Sequence, residues 1–112
     1  MESLKIYRNE LKNTKPPKYK MIGIVSEIIL SEELFKKNIE IKSFLSEVFN
    51  IEFNEYVYSS RTLIVSRTIR LIEKCDDKNY IDYKNKLYKY VVGKINYSNF
   101  KNNNTFDGWI KV

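Results

Sequence analysis

Residues 55–75 read Glu-Tyr-Val-Tyr-Ser-Ser-Arg-Thr-Leu-Ile-Val-Ser-Arg-Thr-Ile-Arg-Leu-Ile-Glu-Lys-Cys, with no Gly or Pro. That length suits one long helix capped by Asn54. At about 100° per residue the stretch sorts into two faces. Val57, Ile64, Val65, Thr68, Leu71, Ile72 and Cys75 share an apolar side. Ser59, Thr62, Ser66 and Arg70 share the opposite side, and Arg67 flanks them. An ordinary solvated face would use Glu, Lys and Gln, which are better helix formers than Ser or Thr. It would also mix charge signs, whereas no acid lies between Glu55 and Glu73. Small hydroxyls edged by arginine suit a polyanion: both donate to phosphates, and arginine also bridges two acceptors on a guanine edge. The bland alternative is a solvated helix whose arginines pair with acids elsewhere.

Charge distribution points the same way. The chain has 112 residues and a net charge of +6. Residues 1–55 carry nine Lys and Arg against nine Glu, and residues 56–112 carry eleven against five Asp and Glu, so the whole excess follows Glu55. Residues 1–20 are also basic, six positive to two negative. One basic surface made from the two ends and the central helix follows, and it favours anionic partners. Hydrophobic residues make up 43% and charged residues 30%, the balance of a chain that buries one modest core.

Working backward, Leu4, Tyr7 and Leu11 recur at helical spacing, and Thr14-Lys15-Pro16-Pro17 ends that helix. Residues 1–18 thus read as a basic N-terminal arm and 19–112 as a single domain. Tyr19–Val25, an apolar run around Gly23, reads as a short strand. Ser26 or Ser31 caps a helix across about 27–37, with Glu32 and Glu33 in its first turn. Asn38 caps a second helix over Ile39–Phe49, with Ile41, Phe44, Leu45, Val48 and Phe49 as its core stripe. Ile51 and Phe53 plug the core from the link that follows. A compact helix, a short connection and a helix presenting Ser, Thr and Arg is the order of a helix-turn-helix. The turn lacks the glycine common there, and the connection is slightly long.

Working forward, Asp76-Asp77-Lys78-Asn79 breaks the chain. Tyr80–Val92 reads as a helix closed by Gly93; a β-ribbon over Leu87–Tyr97, the wing of a winged helix, competes with it. Five asparagines from Asn96 to Asn104 mark a loop, and Asp107-Gly108 marks a hairpin, so a C-terminal β-ribbon anchored by Trp109 and Ile110 is expected. The fold class is therefore mainly α with minor β, helix-turn-helix or winged-helix-like.

Catalytic chemistry is scarce. The chain has no histidine and one cysteine, which leaves no disulfide, no zinc set and no common general base. Cys75, on the apolar face beside Asp76 and Asp77, reads as a core residue. The glycines stand apart at 23, 93 and 108, so no phosphate loop exists. No enzyme activity, cofactor or metal is expected. No apolar run approaches a membrane span and the start has no signal-peptide core, so a cytoplasmic protein is expected.

The function expected is double-stranded DNA binding, as a regulator or accessory factor of a plasmid, phage or other mobile element. Ser59, Thr62, Ser66 and Arg70 would meet the groove, and Arg67, Lys74, Lys94 and Lys101 would hold phosphates. A homodimer is compatible with this. The rival is a protein-binding module, an inhibitor of a host defence protein or an immunity protein against a toxin, acting through Tyr56, Tyr58 and the arginines. Arg61 falls inside the apolar sector, so it should have a carboxylate partner such as Glu52 or Glu55, or reach past the helix start.

Overall fold

The computed structural model describes residues 2–13 and 15–111, and for 98–111 the backbone alone. Five α-helices follow in order: α1 (Ser3–Leu11), α2 (Lys18–Leu30), α3 (Ile41–Phe49), α4 (Arg61–Lys74) and α5 (Asp77–Lys111). Two short 3₁₀ turns, Asn38–Glu40 and Glu55–Ser59, lead into α3 and towards α4. There is no strand among the described residues.

The expected β component is thereby overturned at three places. Tyr19–Val25 is not a strand but the first half of α2. Its buried residues Met21, Ile24, Val25, Ile28 and Ile29 repeat at three- and four-residue steps, a helical stripe that only a window reaching Ile29 reveals. Helix does not span 27–37, because α2 stops at Ser31. No wing forms at Leu87–Tyr97 and no ribbon at the C-terminus, since α5 runs through Gly93 to Lys111 with a helical backbone. Leu87, Tyr90, Val91 and Ile95 are buried at helical spacing, which holds this part of α5 on the core despite the glycine.

The helix-turn-helix reading also fails. Residues 50–60 separate α3 from α4, against the three or four of such a turn. The two helices also take different principal partners: α4 packs on α2 and α3 on α5. The α3–α5 seam is aromatic, with Phe44 edge-on to Tyr90 at 4.7 Å and Phe49 to Tyr83 at 5.0 Å. Asn50 ends α3 in the left-handed conformation (φ 52°) that asparagine tolerates better than most residues. Helix α1 also packs on α5, burying Leu4, Tyr7 and Leu11. The linker is fixed there too: Pro16 is buried, and its carbonyl accepts from the Tyr80 hydroxyl.

Helices α2 and α4 run antiparallel, and their ends are tied in the same way. Lys18, the first residue of α2, donates to the Glu73 and Cys75 carbonyls at the end of α4, at 3.2 and 3.1 Å. Arg61, the first residue of α4, donates to the Ile29 and Ser31 carbonyls at the end of α2, at 3.3 and 3.2 Å. Neither helix has an acidic residue in its first turn. Each cation stands at the unfavourable end of its own dipole and at the favourable end of its neighbour's.

Candidate nucleic-acid interface

Helix α4 begins at Arg61, not at Glu55. Ser60 caps it by accepting from the Leu63 amide at 3.4 Å, so Asn54 is not its cap. Ile64, Thr68 and Ile72 are buried against α2 and the core, while Val65, Leu71 and Cys75 are half-buried beside them. Thr68, the one buried polar residue among those described, donates to the Ile64 carbonyl at 2.8 Å and so satisfies its hydroxyl within the helix.

Thr62, Ser66 and Arg70 are exposed, four residues apart, along the opposite side of α4. Arg70 makes no hydrogen bond or ion pair with any described residue. Lys74 continues the stripe, exposed in the last turn. Ser59 does not share this helix. It lies exposed in the preceding 3₁₀ turn, its hydroxyl donating to the Tyr56 carbonyl at 2.6 Å. Arg67 is half-buried at the edge. Its Nη2 donates to the Tyr56 hydroxyl at 2.9 Å, and its guanidinium lies 5.9 Å from the centre of that ring. The ring is itself 56% exposed, so Arg67 and Tyr56 form a preorganised cation–aromatic pair at the surface.

Lys94 is not gathered here. Lys94 sits 5.4 Å over the Tyr90 ring, in a cleft between α3 and α5 to which α4 contributes no residue. The Lys101 side chain lies outside the described residues.

Arg61 corrects the expectation of a carboxylate. Its Nε donates to Asn38 Oδ1 at 2.8 Å, and its terminal nitrogens reach the carbonyls of Ile29, Ser31 and Phe35. Glu52 is paired elsewhere, with Lys42 at 3.0 Å. Asn38 is no helix cap either; its amide donates to the Tyr58 carbonyl at 2.9 Å while its oxygen holds Arg61. One guanidinium therefore joins the end of α2, the segment after it and the start of α4. Cys75 is half-buried, and burial pushes its thiol pKa up, which disfavours the reactive thiolate.

No group of three or more His, Cys, Asp or Glu among the described residues is placed to hold a metal ion. No helix among them is long and apolar enough to cross a membrane. The chain matches no protein-family model, no curated protein and no solved structure.

Proposed function

We propose that the protein binds double-stranded DNA through the outward face of α4, without a helix-turn-helix or wing. The observation that carries this reading is the stripe Thr62, Ser66 and Arg70. It is exposed along a helix anchored from behind by α2, and no acid interrupts it before Glu73. Arg70 is the base-reading residue, and Thr62 and Ser66 donate to phosphates or base edges. Arg67, stiffened by Tyr56, and Lys74 contact the backbone. The basic excess beyond Glu55 supplies non-specific attraction. The role that suits such a protein is a regulator or accessory factor of a mobile element.

Fluorescence anisotropy on a labelled duplex, repeated across a salt series, tests this. Affinity is expected to fall log-linearly with salt through counterion release. Arg70→Ala is expected to cost about 1–3 kcal/mol of binding and leave the melting temperature unchanged. No binding to any duplex at about 50 mM salt would remove the reading. It would promote the protein-binding alternative, an inhibitor or immunity protein, which the exposed Tyr56–Arg67 pair favours because Tyr and Arg dominate interface hot spots.

A further inference from the structure

The cleft between α3 and α5, about 480 Å³, carries opposite charges on its two walls. Glu40 and Glu47 line one side, flanking Ser43, and all three are exposed. Lys89 and Lys94 line the other, on α5. Neither lysine pairs with either glutamate within salt-bridge distance, whereas Lys42 and Lys86 nearby pair with Glu52 and Asp82 at 3.0 and 3.1 Å. The walls are complementary but held apart. Tyr97, 63% exposed, stands at the end of the cleft, one of the aromatic types that anchor interfaces.

Gly93 lies between them, one turn from both Lys89 and Tyr97. A glycine inside a helix costs about 1 kcal/mol relative to alanine. No described residue repays that cost at close range, and the same holds for Gly23 in α2. The backbone there has no positive φ, and an added Cβ would meet nothing within 4 Å. A small residue in mid-helix does, however, let a second helix approach closely from outside.

We infer that this cleft is the interface of a homodimer, in which α5 of a second copy crosses at Gly93. Lys89 and Lys94 of each copy then face Glu40 and Glu47 of the other. A second copy is the occupant because one patch carries both halves of the charge match, the self-complementarity that a two-fold interface requires. Helix α5, at 35 residues, is about 52 Å long and gives the crossing room. This inference is independent of DNA binding.

Sedimentation equilibrium of the full chain tests it. The 13.5 kDa chain is expected to reach twice that mass at micromolar concentration. Lys89→Glu/Lys94→Glu and Glu40→Lys/Glu47→Lys are each expected to be monomeric, because like charges then face each other across the two-fold axis. The first is the stringent variant, since it lowers the net charge and weakens general repulsion. An equimolar mixture of the two is expected to regain the dimer mass, which neither misfolding nor general repulsion explains. Gly93→Leu is expected to abolish the dimer while keeping the helical circular dichroism of the folded chain. A wild-type chain monomeric throughout, variants that remain dimeric, or a mixture that fails to associate would each overturn the inference.

Discussion

The two ends of the α2–α4 pair do the same job with different chemistry. At one end Lys18, an ammonium, touches two carbonyls of α4 where the chain is partly open to water. At the other end Arg61, a planar fork, engages three carbonyls and the Asn38 oxygen in a part-buried site. Lysine is a strongly hydrated point charge on a flexible stem, whereas guanidinium offers five donors in fixed directions. The Lys18 contact adds to a helix end; the Arg61 contact also fixes the chain around it, because Asn38 passes the connection on to the Tyr58 carbonyl. The same dipole logic thus yields a minor attraction at one end and a structural joint at the other.

The sharpest way to break this comparison is Arg61→Ala, expected to cost about 2–3 kcal/mol because part-buried carbonyls lose a charged donor. Thermal and urea unfolding followed by circular dichroism would measure it. Arg61→Lys is expected to recover less than half, since one ammonium cannot reach all four oxygens. Full recovery would mean that charge alone matters at both ends. Lys18→Ala comes next, with an expected loss of about 0.3–1 kcal/mol in the same melts, reduced further by salt. A loss equal to that of Arg61→Ala would erase the asymmetry. Smallest is Tyr58→Phe. The Tyr58 hydroxyl is buried with no hydrogen-bond partner among the described residues. Its removal is expected to leave the melting temperature unchanged or slightly raised, since only an unsatisfied group is lost. A clear drop would show that the hydroxyl, and not only the Tyr58 carbonyl, belongs to the joint.

Sequence periodicity revealed what depends on one helix at a time. The inner face of α4 and the stripes of α1 and α3 follow from the spacing of Ile64, Thr68 and Ile72, of Leu4, Tyr7 and Leu11, and of Ile41, Phe44, Leu45, Val48 and Phe49. It misled where local punctuation competed with packing. Gly23 and Ser31 made α2 look like a strand followed by a helix, although its apolar positions repeat unbroken to Ile29. Gly93 and the asparagines after it made α5 look interrupted, although its backbone remains helical to Lys111. The position of Arg61 in the apolar sector was readable, as was its need for a partner. The partner itself was not, because it is the end of a helix brought alongside by tertiary folding. A signal was nonetheless present: both Lys18 and Arg61 open helices that lack an acid in the first turn, a poor choice for an isolated helix. The outward positions of Thr62, Ser66 and Arg70 were legible, whereas Ser59 was misassigned because a 3₁₀ turn precedes α4.

The Arg61 joint also bears on how the chain reaches and leaves its native state. It spans thirty-two residues between Arg61 and Ile29, closing the segment that contains α3 into a loop without a covalent bond. Closing such a loop carries an entropic cost that grows only slowly with its length. Opening the clasp frees the connections on either side of α3, while α3 itself stays held by its aromatic seam on α5, so the amides of 31–37 and 50–60 should exchange together and ahead of those of α3.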